Sequence, residues 1–393
     1  MKVLVLGIGK MGYGLLKDLS AQKSVDEIVA ADANVDGAKV TVDRVKSEKI
    51  NGVVKVDVTD KKSTVKLIKG FDIVAAALPR QFCDAAISAT IEAGVSWADV
   101  AANFGTVFSQ HEAAKKAGIV VVPHIGLDVG TDRVLLGVGS RKLDKVDRLY
   151  VACGGFPQKG TPGYYNPLRY KISWYWPFAV YGSLGACKVL RRGKVVEVKV
   201  LSEFNDIEFP EPLGKLEAFT NGGLQDTIDL LGLKGVKDAH AQTIRWPGHC
   251  DTWTKLKEMH LLDEQPITFK GSEVKPIDFW VALGEKWLQY EPDEGDAICQ
   301  RVTVSGKKDG VDAAYGYEFM DFYDFENDIS AMARTTAFPC SIVAQMIAKG
   351  DIKTPGVIHP AKIGYDEGLS NIFFKELSKR KINIKESFTS SLT

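Results

Sequence analysis

The chain has 393 residues, of which 45% are hydrophobic and 25% are charged, and this length predicts two domains. Its 50 Lys and Arg residues balance 50 Asp and Glu residues, which argues against a nucleic-acid platform, because such surfaces carry an excess of basic residues. No apolar run reaches the roughly 18 residues of a spanning helix, and Met1 leads straight into a strand pattern, so neither a membrane anchor nor a signal peptide is predicted. The six cysteines are dispersed without a CxxC pair, which indicates reduced thiols in a cytoplasmic protein.

The first segment, MKVLVLGIGKMGYGLLKDL, predicts a buried strand, a glycine turn and a helix. Its glycines have the GxGxxG spacing, in which the first permits the tight turn, the second lets the backbone approach a pyrophosphate and the third allows close packing. The pyrophosphate is expected on the amides at the N-terminus of the helix. The predicted phosphate-binding residues are Gly7, Gly9, Lys10, Met11 and Gly12.

A second strand, EIVAAD, ends at Asp32. This residue follows Gly12 by about 20 residues, the spacing at which a carboxylate accepts a hydrogen bond from the ribose 2′-hydroxyl. A 2′-phosphate would meet the same carboxylate as a like charge. The sequence therefore predicts NAD as the cofactor, in preference to NADP.

The alternation of strands and helices continues through the first third of the chain. GVVKVDV, FDIVAAALP, VSWADVA and IVVVPHIG are predicted strands, and the helices between them end at Gly94 and Gly118. This pattern is typical of an α/β fold with a doubly wound parallel (Rossmann) sheet, in which ligands bind at the carboxyl ends of the strands. The polar or turn residues at those ends are Asp57 (expected beside the adenine), Leu78, Pro79, Asp99, Asn103, His124 and Asp128.

No metal site is predicted. The segment HEAAK resembles the start of a zinc motif, but Lys115 stands where the second histidine would be needed. One other group of metal-binding residue types has a spacing that matches no known site: His249, Cys250, Asp251 and His260.

The segment YYNPLRYKISWYW, residues 164–176, carries two cations among six aromatic residues. Its composition predicts a strand. Alternation along that strand would place Arg169, Lys171 and Ser173 on one face and Tyr170 and Ile172 on the other. The sequence leaves three interpretations of the polar face open: the floor of a pocket for an anion, the edge of a dimer, or the solvent-facing side of a half-buried sheet.

The chain resembles the saccharopine dehydrogenase family. The resemblance rests on an ordered series of segments: HIGLDVGTDRVL (with Val129 where proline is common), YVACGGFP, NPLRYKISW, LEAFTNGG, TIRWPGHC and DFYDFENDISAMARTTAFPCSIVAQMIAKGDIKTPGVIHP. It covers nearly the whole chain.

The resemblance implies three parts: an NAD(P)-binding Rossmann domain at 1–126, a mixed α+β substrate and dimerisation domain at 127–335, and a segment at 336–393 that returns to the first domain. The sequence agrees, because strand-like runs such as KVVEVKVL and AYGYEFMDFYD, separated by turns without regular helices, fill the middle. SIVAQMIAKG then predicts an amphipathic helix. A homodimer is expected, since the family's dimers cover an otherwise open sheet.

The activity implied by the resemblance is hydride transfer at the carbon–nitrogen bond of an amino acid or imine, with saccharopine chemistry in lysine metabolism as the first choice. L-lysine 6-dehydrogenase, a carboxynorspermidine-type imine reductase and a non-catalytic dinucleotide sensor are the alternatives. TNGG stands where saccharopine reductases often carry Asn-Arg-Asp. RQF at Arg80–Phe82 contains a Gln-Phe pair similar to that of the lysine 6-dehydrogenases. The expected acid/base residues are Asp128, Lys171, His124 and Asp99, and the expected substrate-binding residues are Arg245, Arg169, Asn103, Cys153 and Asn166.

Overall fold

Six strands from the first third of the chain line up in one parallel sheet of the computed structural model, which describes residues 1–391. The strands are β1 (Lys2–Leu6), β2 (Glu27–Asp32), β3 (Ile50–Lys55), β4 (Ile73–Ala76), β5 (Ser96–Asp99) and β6 (Val120–Val122). A seventh strand, β17 (Gly356–Val357), adds beside β6, and the order is β17-β6-β5-β4-β1-β2-β3. The predicted parallel sheet is confirmed.

Helices connect these strands. They are α1 (Lys10–Ala21), α2 (Val35–Val45), α3 (Lys61–Ile68), α4 (Arg80–Ala93), α5 (Phe104–Val107), α6 (His111–Ala117) and α7 (Thr131–Arg141). Helices α4 and α6 end at Gly94 and Gly118, whose φ angles of 73° and 72° place them in the left-handed region that favours glycine. The single helix predicted from TVFSQHEAAKKAG is divided into α5, a short 3₁₀ turn (Phe108–Gln110) and α6.

The chain separates into two units, and the first contains Met1–Lys142 and Ala333–Asn383. Its C-terminal helices are α13 (Ala331–Ala348), α14 (Pro360–Tyr365) and α15 (Glu367–Lys379). The sequence predicts that this unit ends at 126, but α7 also belongs to it because α7 and α14 meet backbone to backbone. A Cβ atom added at Gly137 would lie 2.2 Å from the Ala361 carbonyl oxygen, and one at Gly364 would lie 1.8 Å from that of Val134.

The second unit, Leu143–Met332 with residues 384–391, contains a large mixed sheet. Its strands are β7 (Lys145–Pro157), β8 (Ala186–Arg191), β9 (Lys194–Lys199), β10 (Phe204–Phe209), β11 (Gly214–Gly222), β12 (Asp238–Arg245), β15 (Asp296–Lys308), β16 (Val311–Phe322) and β18 (Lys385–Ser390). The order is β10-β11-β12-β7-β15-β16-β18, with β8 beside β12 and β9 beside β8. Strands β12 and β7 are parallel and the other pairs are antiparallel, which confirms the predicted mixed sheet.

The prediction that turns without regular helices separate these strands is wrong. The second unit also contains α8 (Pro162–Tyr165), α9 (Trp176–Gly182), α10 (Gln225–Leu231), α11 (His249–Glu258) and α12 (Pro276–Trp287), as well as a small hairpin of β13 (Ile267–Phe269) and β14 (Ser272–Val274). Helices α9, α11 and α12 share one apolar cluster that includes Trp176, Trp253 and Ile277. Tertiary packing therefore stabilises helices whose own sequences are short or largely polar.

The strand predicted over residues 164–176 is also wrong. The segment runs from α8 through an irregular stretch into α9. Prolines at 162, 167 and 177 remove three backbone donors, and the Asn166 side chain bonds to both the amide and the carbonyl of Tyr170. Because no strand forms, the two faces do not separate either: Tyr170, Lys171, Ile172 and Ser173 are all buried.

Candidate functional site

The glycine turn between β1 and α1 has the geometry of a phosphate cradle. Gly7 has a φ of 85°, and a Cβ atom there would lie 2.6 Å from the Ala77 carbonyl oxygen. A Cβ atom at Gly12 would lie 2.1 Å from the Gly7 carbonyl oxygen, whereas one at Gly9 would have no neighbour within 4 Å. Two glycines are thus required by internal packing, and the exposed Gly9 leaves open space at the N-terminus of α1. The residues present fit a dinucleotide pyrophosphate, with Lys10 and Met11 opening the helix.

Asp32 lies at the carboxyl end of β2, beside this turn. Its Oδ2 accepts a hydrogen bond from the Ile8 amide at 2.6 Å, and its Oδ1 accepts one from the Asn34 amide at 2.8 Å. The carboxylate therefore orients the glycine turn directly. The residues that follow, Ala33 and Asn34, are exposed and uncharged. A 2′-phosphate at Asp32 would therefore meet a negative charge, and neither of these two residues would supply a positive one.

The other predicted cofactor residues lie at the same edge of the sheet. Leu78 and Pro79 follow β4, and a Cβ atom at Gly7 would lie 3.1 Å from the Leu78 amide nitrogen. Asp57 is exposed after β3, where its carboxylate accepts bonds from the Thr59 amide and hydroxyl, which lower its pKa. Because β1, β2 and β4 are neighbours, their carboxyl ends converge on one edge. Contact of these residues with a cofactor stays a prediction.

Asp99 is the most buried of the predicted acid/base residues. Its carboxylate accepts hydrogen bonds from the Trp97 indole at 2.6 Å, from the amides of Ala101 and Ala102 at 2.7 and 2.6 Å, and from the His124 amide at 3.3 Å. Burial raises its pKa, and these four donors oppose the rise. The arrangement ties the end of β5 to the end of β6. Such a set of bonds fits a structural anchor better than a group that exchanges protons.

The remaining predicted residues of the first unit differ in how exposed they are to solvent. Asn103 is exposed, and its side chain caps α5 by accepting from the Gly105 amide at 3.0 Å. Asp128 is exposed in the turn before α7. His124 is buried with its ring centroid 5.5 Å from that of Phe104, and Phe104 in turn lies 4.3 Å from His359. Proton transfer by Asp128 or His124 stays a prediction.

Lys171 in the second unit is already paired. Its Nζ donates to the Gln289 carbonyl oxygen at 2.6 Å and lies 3.3 Å from Oε2 of Glu294. Both partners of this ion pair are buried, and Oε1 of Glu294 also accepts from the Gly163 amide. The motif indicated Lys171 but not Glu294, which lies in a polar loop without a distinctive pattern. The positive charge predicted for an anionic substrate is therefore compensated here by the protein itself.

Arg245, at the end of β12, differs from Lys171 because it makes no ion pair with a carboxylate in the described part of the chain. The guanidinium is buried, its Nη1 donates to the Ile244 carbonyl oxygen at 2.8 Å, and its Cζ lies 5.0 Å from the Tyr170 ring centroid. Its Nε has no hydrogen-bond partner, and within residues 1–391 no carboxylate lies within ion-pair distance of it. Glu217, on the adjacent strand, instead accepts from the amides of Gly248 and Cys250. A buried cation without a counter-ion is costly unless a ligand supplies the anion.

His249 does not add charge to this region. Burial, followed by the charge of Arg245, lowers its pKa to about 3, so the imidazole is neutral. Its Nδ1 donates to the Leu168 carbonyl oxygen at 2.7 Å, which fixes the ring orientation. Arg245 thus makes no ion pair among the described residues, although Glu217 lies opposite it in the β11–β12 ladder.

The last three predicted substrate residues differ in accessibility. Arg169 is partly exposed, with its Cζ 5.2 Å from the Tyr164 ring centroid. Cys153 is buried in β7 opposite Gln300. The Asn166 amide group is bonded to the Tyr170 backbone, as described above, which fits a role in holding the loop. Direct contact of these residues with a substrate stays a prediction.

Within residues 1–391, no group of three or more His, Cys, Asp or Glu residues is arranged to hold a metal ion. His260 lies beyond the end of α11 and pairs with Asp263, whereas His249 lies buried at its start. All six cysteines are free thiols, and no helix within residues 1–391 is long and apolar enough to cross a membrane.

Comparison with known proteins gives matches over almost the whole chain. The model of the saccharopine dehydrogenase NADP binding domain matches residues 3–122, and that of the saccharopine dehydrogenase C-terminal domain matches residues 126–382. The saccharopine dehydrogenase [NADP(+), L-glutamate-forming] of Schizosaccharomyces pombe is 23% identical over 98% of both chains. The alpha-aminoadipic semialdehyde synthase of Arabidopsis thaliana is 28% identical over 87% of this chain, which spans 39% of that longer protein.

Two solved structures share the fold. The apo saccharopine dehydrogenase (L-Glu forming) of Saccharomyces cerevisiae superposes with a TM-score of 0.82 at 21% identity, covering 99% of each chain. The homospermidine synthase of Legionella pneumophila, in complex with NAD, superposes with a TM-score of 0.64 at 11% identity, covering 99% of this chain and 91% of its own. With both family domains matched in order, the chain belongs to the saccharopine dehydrogenase family and is a dinucleotide-dependent oxidoreductase.

Proposed function

We propose that this protein is a saccharopine dehydrogenase, which oxidises or forms the carbon–nitrogen bond of saccharopine in lysine metabolism. The observation that carries the proposal is the buried Arg245, whose guanidinium makes no ion pair among the described residues. Saccharopine is a tricarboxylic amino acid, and a planar guanidinium is suited to one of its carboxylates. The names of the curated relatives from fission yeast and plants support the same chemistry.

The glycine turn, Asp32 and the loop after β4 would hold the dinucleotide. When bound, the nicotinamide supplies or accepts the hydride. The residues of this chain bind and orient: Gly9 leaves room for the pyrophosphate, and the Asp32 carboxylate holds the turn through the Ile8 amide. Each Asp32 oxygen keeps a second lone pair for a ribose hydroxyl.

We propose that NAD is preferred, although the family model and the fission yeast relative are named for NADP. Asp32 and the uncharged Ala33 support this preference. We expect kcat/KM with NADH to exceed that with NADPH at least tenfold, and Ala33→Arg to raise relative NADPH use by about tenfold by adding a partner for the 2′-phosphate. Ala33 is exposed, so the variant should fold. A wild-type preference for NADPH would contradict the assignment, and Ala33→Gln is the uncharged control.

L-lysine 6-dehydrogenase is the second candidate. Of three cations predicted for a tricarboxylate, Lys171 is neutralised by Glu294, so fewer charges remain for the substrate. The segment TNGG also lacks an arginine that saccharopine reductases often carry there. Both observations favour a substrate with fewer carboxylates.

Turnover distinguishes the two substrates. The enzyme is incubated with NAD, and separately with NADP, at alkaline pH with either saccharopine or L-lysine, and reduced cofactor is followed by its absorbance. We expect reduction with saccharopine, because its carboxylates match Arg245 and the partly exposed Arg169. Reduction with L-lysine alone would establish the second candidate, and reduction with neither would refute both.

We further propose that the protein is a cytoplasmic homodimer. Strand β18 is the last strand of the large sheet, and one of its two edges has no neighbouring strand among the described residues. Proteins usually cover such exposed edges with another part of the chain or with a second subunit. Helix α12 also exposes Phe279, Leu283 and Trp287 at intervals of four residues, which places them on one face. Light scattering is expected to give twice the chain mass of 43.0 kDa. A monomer at micromolar concentration would exclude the dimer.

A further inference from the structure

Several polar side-chain atoms of the second unit are buried without a hydrogen-bond partner among the described residues, and four of them belong to chain segments that lie close together. They are the hydroxyl oxygens of Tyr170, Ser173 and Tyr290 and the Nε of Arg245. Native proteins contain few such atoms, and each one calls for an explanation in terms of strain, water or a ligand. Tyr290 was not indicated by any sequence motif, and neither the dinucleotide turn nor the Lys171 ion pair accounts for it.

These atoms belong to chain segments that run side by side. The Ile172 amide donates to the Leu288 carbonyl oxygen at 2.7 Å, and Lys171 Nζ donates to the Gln289 carbonyl oxygen at 2.6 Å. The segment 170–173 is thereby fixed against 288–290. Arg245 joins them through its guanidinium, which lies 5.0 Å from the Tyr170 ring centroid.

Arg245 is the charged group of this cluster that makes no ion pair within residues 1–391. Glu294 is paired with Lys171, and Glu217, which lies opposite Arg245 in the β11–β12 ladder, instead accepts from two amides at the start of α11. Among the described residues, the guanidinium is therefore buried without a carboxylate bound to it, beside the Tyr170 ring.

Both tyrosines are protonated at neutral pH, because burial raises the pKa of each phenol further above its ordinary value. Water alone would satisfy the hydroxyls but would leave the guanidinium without an ion pair. A carboxylate satisfies both, since it carries one negative charge and accepts about four hydrogen bonds.

We infer that Tyr170, Tyr290 and Arg245 together bind one carboxylate group of the substrate, with the Ser173 hydroxyl as a further donor, and that Tyr290 is a specificity-determining residue. The inference rests on the proposed function for the identity of the substrate. It adds two phenol donors to the guanidinium, so the site accepts a planar monoanion and disfavours an amide or a neutral side chain at the same position.

Three tyrosine variants test the inference: Tyr170→Phe and Tyr290→Phe at the site, and Tyr150→Phe as the matched control. The Tyr150 hydroxyl donates to Gln242 at 2.7 Å, so its loss removes a satisfied hydrogen bond elsewhere in the unit. Calorimetry measures the Kd of L-saccharopine and of glutarate, a dicarboxylate without an amine, and thermal unfolding is measured without ligand.

Each site variant is expected to raise both Kd values by about tenfold or more, the effect of losing a hydrogen bond to a charged group, without lowering the Tm. Tyr150→Phe should lower the Tm and leave both Kd values unchanged. If Tyr290→Phe lowers the Tm with both Kd values unchanged, the hydroxyl is bound to structural water and the inference is wrong.

The inference and the proposed function can fail separately. If the wild-type protein oxidises saccharopine but the site variants keep its KM and Kd, the carboxylate site is refuted and the function stands. If the wild-type protein oxidises neither saccharopine nor L-lysine, but glutarate binding still depends on Tyr290, the function is refuted and the carboxylate site stands.

Discussion

Replacing Arg245 by alanine is expected to raise the KM for saccharopine by about 10- to 1000-fold, with the KM for the dinucleotide nearly unchanged. A hydrogen-bonded pair with a charged group contributes about 1.5–3 kcal/mol, and more in a dry site. Arg245 is buried at the end of β12, with Nε unsatisfied and no carboxylate within ion-pair distance in residues 1–391. The substrate is the anion that would complete this site. Steady-state kinetics with each substrate varied separately measures both constants.

The thermal stability of the same variant separates binding from structure. Arg245 makes one hydrogen bond, to its neighbour's carbonyl oxygen, and packs over Tyr170. Removing a buried charge that lacks a counter-ion should not lower the Tm of the ligand-free protein, because its desolvation cost disappears with it. Arg169→Ala is the control, since it removes the same charge from a partly exposed position and should change KM less. An unchanged KM with a lowered Tm would show that Arg245 is structural.

The dinucleotide site was predictable because its requirements are local. The turn that needs Gly7 and Gly12 is set by backbone atoms close in sequence or at the end of the neighbouring strand. Asp32 follows from the same pattern, although its bond to the Ile8 amide could only be seen once β1 and β2 were paired. A motif that encodes a strand, a turn and a helix in succession carries most of its own geometry.

The second unit was less predictable because its decisive contacts are distant in sequence. The aromatic composition of residues 164–176 predicts burial correctly, but it also predicts a strand that the structure does not contain. Prolines at 162, 167 and 177 were the signal for irregular backbone. Asp99 shows a related difficulty: a carboxylate at a strand end indicates a catalytic group, yet four donors, from β5 itself and from the loops after β5 and β6, already bond to it. Only the fold reveals which polar groups are already satisfied.

Lys171 provides the second large effect, and it is an effect on stability. We expect Lys171→Met and Glu294→Gln each to lower the free energy of unfolding by about 3–5 kcal/mol, because each leaves a buried charge without its partner. The pair is almost fully buried, with side-chain exposures of 8% and 0%, so solvent screening is weak. Chemical denaturation at neutral pH measures these changes.

The double variant Lys171→Met/Glu294→Gln is the decisive comparison. It removes both charges, and the glutamine retains an oxygen that can accept from the Gly163 amide, as Glu294 does. We therefore expect it to be considerably more stable than the sum of the single changes implies, with a coupling energy of about 1–3 kcal/mol.

The sequence alone predicts something different, namely that Lys171 meets the substrate. In that case Lys171→Met would unfold like the wild type and raise the KM for saccharopine, and the coupling to Glu294 would vanish. The buried ion pair predicts instead that Lys171→Met is less stable than the wild type and keeps its KM for saccharopine. The reason is that Lys171 is already neutralised by Glu294 and bound to the Gln289 carbonyl, so it has little charge to offer a ligand.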